Sequence, residues 1–340
     1  MSLSRGRLRL ILSVLLALLI VVFLVSMTQG IYPLSLKEIF HITSSFLGFD
    51  AEYTHNGYVA FMNVRLPRLS ACVFVGAALS ASGAAYQGVF HNPMVSPDLL
   101  GASSGAAFGA CASILLSAPL LVQQASAFLF GLMAVALTLL IRSIVSRREN
   151  NTTTLVLTGM VVSSLFSAGV SITKLLADTD NQLGEITFWL MGSMAGIRLK
   201  SLPILILPVL ISVVPLLLFS YQLNVVTFGD EEARMMGINV QGIRLITILC
   251  ATLATSASVA ACGMVGWIGL IIPHLMRFVV GPDFRYLLPA SALGGAIFLI
   301  LVDNITRVFF TVEVSIGILT AIIGAPFFLF LLVKGRDSWL

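Results

Sequence analysis

The feature that most restricts this chain is the recurrence of apolar runs about 20 residues long, the length that spans a bilayer as an α-helix with its backbone amides paired internally. Ten can be marked, at 9–28, 66–87, 99–117, 122–143, 153–174, 202–221, 243–262, 264–280, 287–306 and 317–333. The eighth is short and carries Pro273, which removes a helical hydrogen bond. Only 10% of the residues are charged and 58% are hydrophobic, against about 25% charged in a soluble domain. Too little polar side chain exists to cover a water-facing surface. The expectation is an all-α polytopic membrane protein of about ten transmembrane helices, with residues 1–340 forming one membrane domain.

The first run follows Arg5, Arg7 and Arg9. It exceeds the roughly 7–15 apolar residues of a cleaved leader, and no A-x-A site follows, so a retained first helix is expected. With the N-terminus inside, twelve of the 19 Lys and Arg residues fall in inner segments. Cytoplasmic loops carry such an excess, so both termini are expected in the cytoplasm. Two outer segments are long. LKEIFHITSSFLGF, from Leu36, has an amphipathic helical pattern; EITFWLMGSMAGI, from Glu185, is too short to cross, and its Trp189 suits the headgroup level. The four cysteines all lie in apolar stretches without C-x-x-C spacing, which reads as helix packing and not as a metal site or disulfide framework. The net charge of +4 reflects basic loops, not a nucleic-acid patch.

Where Leu would serve as well, Gly, Ala and Ser crowd the second and third helices. Gly76, Ser80, Ser82 and Gly83 surround one; Gly101, Gly105 and Gly109 recur every four residues on the other. Lipid gives helices no hydrophobic reason to associate, and small residues let their backbones approach. Helix packing is one reading of Gly83, Gln87, Gly101, Gly105 and Gly109, and the wall of a wide passage is the other. After the second helix, Gln87-Gly-Val-Phe-His-Asn-Pro93 forces a turn, with Asn92 placed to satisfy freed backbone groups. FGDEEARMMGIN, from Phe228, reads as a short helix capped by Asp230 and ended by Gly237. Asp303 lies four residues before Arg307, where a helix would pair them. A faint echo links Arg68, Ala78, Ser80 and Ser82 with Arg244, Ala254, Ser256 and Ser258 at the same offsets. Their helices would run in opposite directions, as in inverted repeats.

The chain can do no ATP chemistry of its own by the phosphate-loop route, because none of Lys37, Lys174, Lys200 or Lys334 follows a glycine. No carboxylate sits at mid-depth as ion-coupled transport would want, which leaves a secondary transporter as the weaker alternative.

RLPR, GAALSASGAAYQGVFHNPMVSPDLLGASSGA, FGDEEARMMGINV, GWIGLIIPHLMRFVVGPDFRYLLPASALGGA and GILTAIIGAPFF resemble, in this order, the FecCD family of permeases of type II ABC importers for iron–siderophores, haem and vitamin B12. The resemblance implies a vitamin B12 importer permease-like fold with inverted-repeat character, in a bacterial or archaeal cell membrane. It implies a homodimer with the path at its interface, two cytoplasmic ATPase subunits that hold ATP and Mg, and an extracytoplasmic binding protein. No cofactor is expected on this chain. Arg65, Arg68 and Arg307 match the positions that dock the binding protein. Asn92, Met94, Thr152 and Thr153 match the inner gate. Asp230, Glu231, Glu232, Ala233, Arg234, Met235, Met236 and Gly237 match the segment coupled to the ATPase. A chelated metal, as ferric siderophore or haem, is the first expectation for cargo, with cobalamin, molybdate or tungstate as alternatives. Three residues depart from the family pattern: His91 in place of the frequent Arg, Phe284 in place of His, and Ser315 in place of Pro.

Overall fold

The computed structural model describes residues 4–30, 32–46, 53–145, 152–310 and 314–335, and among them every regular element is helical. In chain order the helices are α1 (Arg5–Thr28), α2 (Leu36–Phe46), α3 (His55–Tyr58), α4 (Leu66–Val89), α5 (Ala102–Leu115), α6 (Leu120–Val145), α7 (Thr152–Leu176), α8 (Gln182–Met191), α9 (Leu202–Leu218), α10 (Ser220–Val226), α11 (Asp230–Met235), α12 (Val240–Cys262), α13 (Ile268–Val280), α14 (Phe284–Val308) and α15 (Ile316–Gly335). The ten expected spans fall on α1, α4, α5, α6, α7, α9, α12, α13, α14 and α15.

Among the described residues, seven stretches are long and apolar enough to cross a membrane, and three shorter apolar helices, at Ala102–Leu115, Ile268–Val280 and Ile316–Phe330, complete the ten. At ~1.5 Å per residue, α5 and α13 cover about 20 Å, less than the ~30 Å hydrocarbon core. A 3₁₀ turn at Pro97–Leu100 leads into α5. A non-helical stretch from Gly263 leads into α13, so the expected span 264–280 becomes helical only at Ile268. Gly263 (φ 73°) ends α12 in a conformation that suits glycine, whereas Trp267 (φ 71°) adopts a left-handed one that a bulky residue rarely takes. The Trp267 ring lies against Gly324 of α15 and edge-on to Phe328, at 6.2 Å between centroids.

The second expected span begins at 66, after a long outer segment. The structure instead runs helically from α3 through a π-turn at Val59–Arg65 into α4, with Leu66 N–H donating to Phe61 O. Pro67 has no N–H and crowds the carbonyl four residues back, and the wider turn ahead of it accommodates that loss. Leu36–Phe46 is helical as expected, and Leu47–Phe49 of that pattern lie outside the described residues. Trp189 of α8, expected at the headgroup level, packs against buried clusters around Ala106 and Val259 and around Ile114 and Ile186.

The helices alternate between two ends of the bundle. One end gathers the start of α1, the turn after α4, and α10, α11 and the start of α14; here His91 Nε2 meets Val226 O at 2.8 Å and Asn224 Nδ2 donates to Asp283 at 2.7 Å. Arg147, Arg148 and Arg336, counted with the charges of this end, lie outside the described residues. The far end holds α2, α3, α8 and the end of α14; here Asn304 Nδ2 donates to Ser26 Oγ at 2.6 Å and Gln123 Nε2 to Glu185 at 3.1 Å.

At the centre stands α4, buried almost throughout from Leu69 to Val89 and packed on α14, α12, α13 and α9. The faint sequence echo has a spatial counterpart: α4 and α12 begin at opposite ends. Arg68 and Arg244, near those starts, each have side chains only 8% exposed and each pair with an aspartate, Asp303 at 2.7 Å and Asp230 at 3.0 Å. Ser80 of α4 lies over Gly295 of α14, and Ser256 of α12 over Gly131 of α6.

Candidate functional site

The glycines singled out in the sequence are points of backbone contact. A Cβ on Gly83 would sit 1.8 Å from Gly269 O of α13; on Gly105, 2.4 Å from Phe130 O; on Gly109, 2.5 Å from Ser126 O. The Gly105–Gly109 face of α5 therefore meets the backbone of α6, and all three positions are buried. Gly101 precedes α5 at φ 89°, against Ser163 of α7. Gln87 Nε2 donates to Leu270 O at 3.3 Å, while its buried Oε1 has no partner among the described residues.

The turn after α4 is a closed C-cap. His91 takes the left-handed position (φ 49°); its N–H donates to Gly88 O at 3.2 Å and that of Asn92 to Gln87 O at 3.2 Å. This is the paired arrangement that satisfies the last carbonyls of a helix. The Asn92 side chain then accepts from Met94 N at 2.9 Å, as its place before the turn anticipated. Asn92 is exposed and Met94 is 47% exposed. Thr152 and Thr153 open α7 at the same end; Thr153 is exposed, and the Thr152 side chain lies outside the described residues. Phe284, one of the departures from the family pattern, is 3% exposed and fills the space over Gly88. Asp283 caps α14 beside it. Burial pushes the Asp283 carboxyl upward, but hydrogen bonds from Arg285 and Asn224 outweigh this and hold it below its ordinary range.

The segment from Phe228 folds as a short helix, with one correction. Gly229 (φ 129°), not Asp230, is the N-cap, and Asp230 is the first helical residue. Its carboxylate instead meets Arg244 at the start of α12. The acids Asp230, Glu231 and Glu232 occupy the first turn, where the helix dipole favours them. Gly237 (φ 78°) ends the helix, its N–H donating to Arg234 O at 2.9 Å and that of Ile238 to Ala233 O at 3.0 Å. Ala233 is fully buried, whereas Phe228, Met235 and Met236 are 72%, 82% and 65% exposed. Glu231, Glu232 and Arg234 are exposed beside them. The result is a rigidly capped knob presenting large apolar and charged side chains.

The arginines expected to face an outside partner are placed differently. Arg65 and Arg68 are 4% and 7% exposed. Arg65 Nη1 donates to Met27 O at 2.6 Å, and Nη2 donates to Tyr32 O. Arg68 Nε meets one oxygen of Asp303 at 2.7 Å and Nη2 donates to Thr306 at 3.3 Å. Arg307 Nε approaches the other Asp303 oxygen at 2.8 Å, the pairing that their four-residue spacing implied. Arg307 also reaches Asn304, Ser26 O and Gln29 O. One fully buried carboxylate thus lies between two guanidinium groups and ties α4 to α14 at the far end, and Arg307 adds the end of α1. Sequence reasoning found the Asp303–Arg307 pair but not its link to Arg68, which lies 235 positions away.

This helical bundle, with apolar spans and an exposed capped knob between two of them, has the architecture of a polytopic membrane protein. The family model for the FecCD transport family matches residues 18–334. The chain is 37% identical over 320 residues to the molybdate import system permease MolB of Haemophilus influenzae, covering 93% of each chain. It is 34% identical over 339 residues to the hemin transport system permease HmuU of Yersinia pestis, covering 97% of each. A solved structure of an inward-facing metal-chelate type ABC transporter superposes with TM-score 0.86 at 36% identity, covering 95% of this chain and 99% of the other. The chain belongs to the FecCD transport family.

Proposed function

We propose that this chain is the membrane-spanning subunit of an ATP-driven importer that works by alternating access at a homodimer interface. An extracytoplasmic protein delivers cargo at the end bearing α2 and α8. Two ABC ATPase subunits, which hold the ATP and Mg, engage the end bearing α11. The observation that carries the reading is the knob itself: an exposed Met235–Met236 pair beside Glu231 and Glu232, on a segment fixed by the buried Ala233 and the Asp230–Arg244 pair. Exposed apolar side chains rimmed by charge mark protein–protein contact. Such a segment passes force into α12 through its short connection and its ion pair. By this reading the first end faces the cytoplasm of a bacterial or archaeal cell, and Asn92, Met94, Thr152 and Thr153 stand at the inner mouth.

Docking of the binding protein is assigned differently from the sequence reading. Arg65, Arg68 and Arg307 shape the receiving end from within, and exposed cations there, Lys37, Arg198 and Lys200, meet the partner's acids. A chelated metal, ferric siderophore or haem, is the proposed cargo, supported by relatives named as hemin, ferric dicitrate and iron chelatin permeases. Molybdate or cobalamin is the second reading, favoured by permeases of those systems at 37% and 38% identity.

The test is Glu231→Lys combined with Met235→Glu, both at exposed positions. ATP-driven uptake by vesicles is expected to fall roughly thirtyfold, as for loss of an interface hot spot, with thermal stability of the purified chain unchanged. Normal coupled uptake would remove α11 from the coupling role.

A further inference from the structure

The carbonyl oxygen of Val226, the last residue of α10, is approached from two sides. Gly229, the N-cap of α11, directs its N–H to it at 3.2 Å, and His91 Nε2 meets it at 2.8 Å. A carbonyl oxygen has two lone pairs and only accepts, so both bonds fit on it and Nε2 carries the hydrogen of the imidazole. One fully buried residue of α10 thus joins the knob to the turn after α4.

Each side of this joint is short and held. His91 occupies the left-handed position of the turn, where its N–H and that of Asn92 close the end of α4. Histidine is one of the few side chains enriched in that region. Asn92 then builds the rest of the turn, its side chain accepting from Met94 N at 2.9 Å and its carbonyl from Val95 N at 3.3 Å. On the other side only Thr227 and Phe228 separate Val226 from Gly229. A connection of two residues cannot absorb a shift of α11 without passing it to Val226. Asn224 fastens α10 to the start of α14, donating to Asp283 and accepting from Phe284 N, each at 2.7 Å. Movement at this end therefore turns about α10 and is felt at His91.

We propose that His91 is a positioning residue that ties the turn at the inner mouth to α11, so that a displacement of α11 reaches Asn92 and Met94 through Val226 O. The transmission rests on the reading of α11 as the coupling segment; the tie between the two segments does not.

Hydrogen exchange of backbone amides tests both parts. His91→Asn keeps a side chain suited to the left-handed position, but its amide stops short of Val226 O. His91→Gln carries an amide donor about as far as the imidazole does. In the full-length chain without partners, His91→Asn is expected to speed exchange at 92–95 and at 226–229 together, roughly fivefold, as for loss of one hydrogen bond. His91→Gln stays at the wild-type rates, and both variants keep the wild-type unfolding temperature. In the complex with its ATPase subunits, adding ATP is expected to change exchange at 230–236 and at 92–95 in the wild type and in His91→Gln. In His91→Asn the change is confined to 230–236. Unchanged rates at both segments of the isolated His91→Asn chain would overturn the tie. An ATP response at 92–95 that persists in His91→Asn would overturn the transmission. A lowered unfolding temperature in both variants would reduce His91 to a part of the fold and overturn it equally. Absence of any ATP response at 230–236 in the wild type would refute the coupling reading of α11, while paired loosening in the isolated chain would still establish the tie.

Discussion

Gly83→Leu is expected to abolish accumulation of folded chain. The Cβ of any residue at 83 would meet Gly269 O at 1.8 Å and Gly269 C at 2.5 Å, so backbone, not a flexible side chain, stands in the way. Overpacking that a core can relax costs about 1–3 kcal/mol. Here α4 and α13 would have to separate, and Gly269 is itself pinned by Pro97 and Leu79 O, so the cost lies above that range. Size-exclusion profiles from detergent extracts report the outcome directly. Gly184→Leu, at an exposed position of α8 with nothing near its Cβ position, is the control and keeps the wild-type profile. A monodisperse Gly83→Leu peak would mean that the α4–α13 contact is not what holds these helices.

Asp303→Ala is the second large effect. The carboxylate is fully buried between Arg68 and Arg307, whose side chains are 8% and 10% exposed. Removing one partner from a buried ion pair leaves uncompensated charge and costs about 3–5 kcal/mol, whereas replacing a whole set with apolar residues is often neutral. The single change is therefore expected to lower the unfolding temperature strongly. Arg68→Met, Asp303→Leu and Arg307→Met combined are expected to recover most of it. A single variant as stable as the wild type would show that the cluster carries no weight in the fold. By the same geometry, Arg65→Glu and Arg68→Glu would damage folding before any docking defect could be seen.

The ten spans were legible because hydrocarbon demands length and apolarity, and both can be read locally. Gly105 and Gly109 announced a close helix contact by their spacing, and Gly237 announced a helix end. What escaped depends on sequence-distant partners or on local strain. Arg65 and Arg68 stand at an expected helix start and read as outward-facing charge; the residues that capture them, Met27, Tyr32 and Asp303, belong to other segments. An acid inside an apolar run was the available clue, since Asp303 had to find a cation. The helix over 55–65 was hidden by Pro67, which ordinarily marks a boundary and here follows a π-turn. Trp267 gave no sign of its left-handed backbone, and the α15 residues its ring meets, Gly324 and Phe328, lie far away in sequence. Asp230 looked like a cap by type, yet Gly229 takes that position and frees Asp230 for Arg244.

The most direct measurement is a pull-down of this chain from its native membrane, with co-purifying proteins identified for wild type and for the Glu231→Lys, Met235→Glu variant. The account predicts an ABC ATPase subunit with the wild type and its loss from the variant, while a lipid-anchored or periplasmic binding protein is still captured. Wild-type chain recovered without an ATPase, in a preparation that preserves known complexes, would contradict ATP-driven import.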